Sequence, residues 1–219
     1  MEEFSLPPFC LNLSYIMIYR IYPENHNQKE IDKVVQFLQD GGIIVYPTDT
    51  IYGMGCDIFH ARAVERVCQY KKIDPKKANL SFICYDLSHI AEYAKVNNDV
   101  FKLMKKNLPG PFTFILNATS NLPKLFRNKK TVGIRVPDNN VIREIVRTLG
   151  NPILSTSVRD DNDDVLEYYT DPELMDEKLS HFVDCVINSG YGSLEPSTVV
   201  DCTGDEPVIV RQGKGILEY

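Results

Sequence analysis

An α/β fold, with helices laid over a mixed, twisted β-sheet, is predicted by three observations. Apolar residues at helical spacing alternate along the chain with short β-branched runs. The run at 43–46 is apolar throughout, as strands buried on both faces are. A chain of 219 residues with 43% hydrophobic composition can also bury one substantial core.

The elements follow in order. Residues 32–40 belong to a helix whose Ile31, Val34, Val35 and Leu38 fall at i, i+3, i+4 and i+7, with Gly41 as its stop. A strand over 43–46 is ended by Pro47. Thr48, Asp49 and Thr50 then set two hydroxyls and a carboxylate at the strand's C-terminal edge, where open α/β sheets form their ligand crevices. Gly53 and Gly55 follow, where the backbone is free to take positive φ or to approach a ligand closely. The same stretch reads equally as an ordinary strand, a Pro/Asp/Thr turn and a glycine-bearing loop. A helix over 61–70 buries Val64, Val67 and Cys68 and ends at Lys71 and Lys72. A strand over 80–84 leads into two helices; the second carries Val100, Leu103 and Met104 on one stripe and Lys102, Lys105 and Lys106 off it. Strands over 112–116 and 132–136 precede a helix marked by Val141, Ile142, Ile145, Val146 and Leu149. A strand over 153–156 runs into an acidic loop, 160–164. Asp171 and Pro172 form an N-cap with proline at the first helical position. Strands over 183–187, 199–201 and 208–211 close the chain.

Charge is polarised along the sequence. The net charge is -6, but residues 71–135 hold thirteen Lys/Arg against four Asp/Glu, a local balance of +9 within an otherwise acidic chain. Such a segment suits a basic face for phosphates, ATP or RNA, and suits equally the solvated faces of helices. No apolar run is long enough to span a bilayer, and MEEFSLPPFC places acidic residues where a signal peptide needs positive charge, so a cytoplasmic location and no membrane partner are expected. Six cysteines without a CxxC pair and four histidines without HExxH read as buried small hydrophobes and incidental residues, with no metal cage.

In order and spacing, the 41–55 segment GGIIVYPTDTIYGMG, the lysine pair, PGPFTFIL from Pro109, TVGIRVP from Thr131, PILSTS from Pro152, PSTVVD from Pro196 and VIVRQG from Val208 resemble the YrdC/YciO family. These are the threonylcarbamoyl-adenylate synthases and their relatives, and the pattern resembles the YciO branch most. The resemblance starts at Met17, so residues 1–16 read as an extension or a mis-called start and 17–219 as a single domain. It implies an open mixed sheet around a large concave cleft. It also implies a reaction joining L-threonine, bicarbonate or CO2, and ATP into threonylcarbamoyl-adenylate and pyrophosphate, the intermediate feeding tRNA threonylcarbamoyladenosine. Mg2+ would accompany ATP as substrate, with no tightly bound cofactor. Partners implied are tRNA or double-stranded RNA and the downstream threonylcarbamoyl-transfer proteins.

Carried over by motif, Thr50 and Ser157 are the threonine contacts. Lys71, Thr113, Arg135, Ser155 and Arg211 are the ATP contacts, with Lys71 and Arg135 as the catalytic cations and Thr198 a further polar position. Chemistry of this kind rests on positioning and electrostatics. Arg135, at the edge of an apolar strand, needs anions or carbonyls around its guanidinium. Strand-end serines commonly satisfy local backbone instead. Two departures stand out. Ile73 and Asp74 occupy the place of the Arg-Pro that follows the lysine in most synthases, and Ser157, Val158 and Arg159 that of a Ser-x-Asn run. Arg159, Lys72 and Lys76 are the candidates to replace the lost charge. The alternative left open is an RNA- or nucleotide-binding protein that keeps the cleft with little synthase activity.

Overall fold

The computed structural model describes residues 17–24, 27–74, 80–158 and 166–219; the expected extension over 1–16, the acidic loop, Lys76 and Arg159 lie outside these. In chain order the elements are β1 (Met17–Arg20), α1 (Gln28–Gln39), β2 (Ile44–Tyr46), β3 (Gly53–Asp57), α2 (Ala61–Tyr70), β4 (Ser81–Ile83), α3 (Leu87–Tyr93), β5 (Ala94–Lys95), α4 (Asn98–Asn107), β6 (Phe112–Ala118), β7 (Thr131–Arg135), α5 (Asn140–Leu149), β8 (Ile153–Ser157), α6 (Pro172–Leu179), β9 (Cys185–Asn188), β10 (Thr198–Asp201) and β11 (Val208–Arg211). The eleven strands form one mixed sheet in the order β1-β9-β2-β3-β8-β4-β7-β6-β10-β11, with β5 paired to β6 outside that path. This is the mixed α/β architecture that the alternation of patterns predicts.

Side chains satisfy orphan backbone amides at the starts of α1, α5 and α6. Asn27 accepts from the Lys29 amide at the start of α1, and Asn139 accepts from the Val141 and Ile142 amides at the start of α5. Asp171 caps α6 ahead of Pro172. Past α1, Gly41 sits at φ 85° with the His60 ring 2.3 Å from where a β-carbon would be. Both the conformation and the space there demand glycine.

Alternation along the strands sorts side chains onto two faces. On one face Val45, Met54, Cys56, Phe82, Phe114, Val132, Ile134 and Leu154 join the larger core cluster with apolar residues of α2, α3, α4 and α6. On the other, Ile44, Tyr46, Ile83, Ile153, Cys185 and Ile187 pack under Ile31, Val34, Val35 and Leu38 of α1 and Val141, Ile142, Ile145, Val146 and Leu149 of α5. The α1 and α5 helices cover only the end of that second face built from β9, β2, β3 and the adjoining parts of β8 and β4. Toward β7, β6 and β10 the same face carries Thr113, Thr131, Gly133 and Arg135 beside Ile115 and Val199, and a cavity opens over that half. The described cysteines Cys56, Cys68, Cys84, Cys185 and Cys202 are free and buried.

One element departs from the sequence reading. Residues 53–57 form β3, antiparallel to both β2 and β8, where a glycine-bearing loop is one expectation. Neither Gly53 nor Gly55 has positive φ. A β-carbon on Gly53 would fall 2.5 Å from the Tyr46 ring, and one on Gly55 would fall 2.0 Å from the Leu154 carbonyl oxygen. The close approach these glycines permit is therefore to the neighbouring strands.

Candidate functional site

The uncovered half of the sheet is the floor of a cavity of about 530 Å³. The floor is built by register. Thr131, Gly133 and Arg135 alternate along β7; Thr113 and Ile115 come from β6, Ser81 from β4, Ser155 and Ser157 from β8, and Val199 from β10. Thr50, from the turn after β2, and Val210 and Arg211 of β11 form walls. Thus six of the residues singled out from the sequence, Thr50, Thr113, Arg135, Ser155, Ser157 and Arg211, line one cavity. The described residues lining it include three cations, Lys129, Arg135 and Arg211, and no carboxylate, with Asp49 paired to Arg135 behind the lining.

Arg135 is 8% exposed and holds the site's tightest network. One terminal nitrogen donates to Thr50 Oγ1 at 2.9 Å and reaches Asp49 Oδ1 at 3.4 Å. Asp49 Oδ2 accepts from the Asp138 amide at 3.0 Å, and its backbone carbonyl accepts from Lys214 Nζ at 2.6 Å. The buried Arg135 Nε has no partner among the described residues. Burial pulls the guanidinium below the usual arginine range; Asp49 and Tyr46 pull it back, and Arg211 adds to the lowering. The arginine stays charged, since its ordinary range lies far above neutrality.

Hydroxyl bookkeeping assigns directions. Thr48 Oγ1 donates to the Ile51 carbonyl at 2.8 Å and accepts from the Thr50 amide at 3.0 Å. With that proton committed, the 3.1 Å Thr48–Thr50 hydroxyl contact has Thr50 as donor. Thr50 therefore receives from Arg135, gives to Thr48, and has acceptor capacity left for a ligand's ammonium. Ser155 is arranged in the opposite sense. Tyr46, fully buried, donates its phenol proton to Ser155 Oγ at 2.6 Å, so the serine's own proton is available to a ligand in the cavity. Burial raises the Tyr46 phenol well above its ordinary range and keeps it a donor. On the far wall, Arg211 donates to the Ser197 carbonyl at 2.7 Å, and Ser197 shares a 2.8 Å contact with Thr113. Thr198 is spent on local structure: its hydroxyl donates to the Gly215 carbonyl at 2.6 Å and accepts from the Gly213 amide at 3.0 Å.

Lys71 is placed elsewhere. It is the C-cap of α2 and is not among the residues lining the cavity. Lys72 is exposed, with its backbone at φ 53°. Lys129 and Ser197, which the sequence reading does not single out, do line the site. Lys129 lies ahead of β7, in the turn closed by its amide's bond to the Phe126 carbonyl, so no strand alternation marks it in the sequence. A second concavity, about 660 Å³, lies along α4 between Lys102, Lys105, Lys106, Asp205 and Tyr219, and holds none of the expected site residues.

A family model named for Sua5, YciO and YrdC and described as telomere recombination matches residues 36–213. YciO of Escherichia coli strain K12 is 41% identical over 199 residues, 90% of this chain and 95% of its own. The crystal structure of E. coli YciO superposes with a TM-score of 0.83 at 40% identity, covering 91% of this chain and 97% of that one. A threonylcarbamoyl-AMP synthase of Pseudoalteromonas translucida is 27% identical over 180 residues, 80% of this chain and 94% of its own. P. abyssi Sua5, solved in complex with L-threonine, shares the fold with a TM-score of 0.80 at 23% identity, covering 90% of this chain and 57% of that one. The family match spans most of the chain and YciO is similar along nearly its whole length, so this chain belongs to the Sua5/YciO/YrdC family.

Proposed function

We propose that this chain is a nucleotidyltransferase of the threonylcarbamoyl-AMP synthase type, joining L-threonine, bicarbonate or CO2, and ATP into threonylcarbamoyl-AMP and pyrophosphate. The observation that carries the reading is the cavity itself, lined by Lys129, Arg135, Arg211 and a set of hydroxyls, without a carboxylate among its described residues. Three cations in one cleft suit a polyanion, and hydroxyls of assigned direction suit an amino acid held beside it. The threonine complex of P. abyssi Sua5 and the name of the P. translucida relative point the same way.

In this reading the threonine amine and CO2 give the carbamate with loss of a proton. A carbamate oxygen then forms a bond to the α-phosphorus as the bond from that phosphorus to the β-bridging oxygen breaks, and pyrophosphate leaves with its Mg2+. Thr50 accepts from the threonine ammonium before that step, and Ser157 flanks the same end. Arg135, Arg211, Ser155 and Thr113 hold the nucleotide and offset charge on its phosphates. Lys71, at the C-cap of α2 and outside the cavity lining, keeps its proposed phosphate role by its place in the motif alone. The product would feed tRNA threonylcarbamoyladenosine through transfer proteins. Among the described residues no helix is long and apolar enough to cross a membrane.

The test is pyrophosphate release with each substrate omitted in turn. Release should require L-threonine, bicarbonate and ATP together, and Arg135→Ala should lower it about a hundredfold or more, the scale of losing one preorganised charge-stabilising group. Release that ignores threonine, or its absence with all three present, overturns the reading.

A further inference from the structure

We infer that Tyr46 is a positioning residue of this cavity: reaching across Gly53, it fixes the Ser155 hydroxyl as a polarised hydrogen-bond donor toward an anionic oxygen of the ligand. The inference rests on the reading above only in taking the cavity for a polyanion site.

The path of the side chain is the first observation. Tyr46 ends β2 and Ser155 lies in β8, and these strands are not neighbours, because β3 runs between them. Tyr46 stands opposite Gly53, and Ser155 opposite Gly55. A β-carbon on Gly53 would fall 2.5 Å from Tyr46 Cε2 and 2.8 Å from its hydroxyl oxygen. The ring therefore crosses β3 through the space that glycine leaves, and its hydroxyl meets Ser155 Oγ at 2.6 Å.

Burial sets the direction of that bond. Tyr46 is closed to solvent, and Ser155 is the hydrogen-bond partner its hydroxyl has among the described residues. A buried phenol proton without an acceptor is costly, so Tyr46 donates. Burial also raises the phenol's pKa by more than the Ser155 bond and Arg135 lower it, which keeps that proton in place.

Ser155 itself lines the cavity, where Tyr46 does not. Strand-end serines commonly turn their proton to a local carbonyl. Here the hydroxyl has no acceptor among the described residues, while one of its lone pairs takes the phenol proton. A hydroxyl that accepts such a bond donates more strongly in turn, and a charged acceptor gains most from it. Thr50, held as an acceptor by Arg135 and Thr48, is arranged in the opposite sense, so the two hydroxyls sort a ligand's anionic end from its ammonium.

The test is a double-mutant cycle on MgATP binding by calorimetry, with melting temperature to check that each variant is folded. Ser155→Ala should weaken MgATP about tenfold or more, and the isosteric Tyr46→Phe roughly three- to tenfold. In the Ser155→Ala background Tyr46→Phe should cost MgATP nothing further, because the phenol acts through that hydroxyl alone. Equal losses from Tyr46→Phe in both backgrounds overturn the inference in favour of a purely structural tyrosine. Unchanged binding in Tyr46→Phe also overturns it, and leaves the nucleotidyltransferase reading intact. Wild type that binds no MgATP overturns both. The expected coupling without threonine-dependent pyrophosphate release overturns the reaction and keeps the role of Tyr46.

Discussion

Arg135 holds a positive charge at a position almost closed to solvent, and Asp49, only 10% exposed at its side chain, is the carboxylate that makes this tolerable. Breaking a buried ion pair by deleting one partner is worse than never having it, because the remaining charge is stranded. Asp49→Ala should therefore destabilise the protein by about 3 kcal/mol, toward the lower end for such pairs, since Thr50 still accepts from the guanidinium and the cavity admits water. The Asp138 amide also loses its acceptor. The same variant leaves Arg135 with more unmet demand for an anion. Inorganic tripolyphosphate should accordingly raise the melting temperature of Asp49→Ala by more than it raises that of wild type. Equal shifts would mean that the polyanion does not reach Arg135.

At the level of elements, the end of α2 shows why a lysine pair and an isoleucine stand where they do. Lys71 is the C-cap, Lys72 follows at φ 53°, its amide bonded to the Gln69 carbonyl, and the Ile73 amide reaches back to the Cys68 carbonyl at 2.9 Å. This is a Schellman stop with lysine in the left-handed position usually given to glycine and Ile73 as its apolar contact. Lys72→Gly should relieve the left-handed strain and stabilise the fold by about 0.5–1 kcal/mol, net of the entropy glycine adds to the unfolded chain; a loss in urea unfolding would show that the lysine side chain supports the turn. Elements with a local signature were legible: α2 was expected over the residues it occupies, and α1, α5 and α6 announced themselves by spacing and caps. β3 was less so, because Gly53 and Gly55 mimic a loop and the reason for them, Tyr46 and Leu154 on adjacent strands, is invisible along the sequence. The two-residue β5 carries no pattern long enough to read. Six site residues were legible by motif, whereas Lys129, in the turn ahead of β7, looks along the sequence like one more solvated lysine.

Across the whole molecule, packing falls away from the middle of the sheet toward β11. Strands β2 and β8 are buried against helices or neighbours, whereas Val208, Ile209 and Val210 of β11 are 57%, 39% and 54% exposed, and β11 hangs on β10 alone through an irregular register at Val199 and Val200. That edge nevertheless supplies Arg211 and Val210 to the cavity, so part of the site is built on its least buried element. Segments with few apolar contacts open locally at low free-energy cost, and a ligand that needs them closed holds them shut. MgATP should therefore slow amide hydrogen exchange most in β10 and β11 and much less in β2 and β9, where protection is already set by the core. At a hundredfold excess over its dissociation constant the ligand adds about 2.7 kcal/mol, or roughly 5–11 °C in melting temperature for a chain of this size. Arg211→Ala should erase the β11 protection at saturating MgATP while the rest of the sheet keeps its wild-type pattern. If β11 exchanges as slowly as β8 in the free protein, or stays fast with MgATP bound, Arg211 does not couple this edge to the nucleotide and its bond to Ser197 is structural alone.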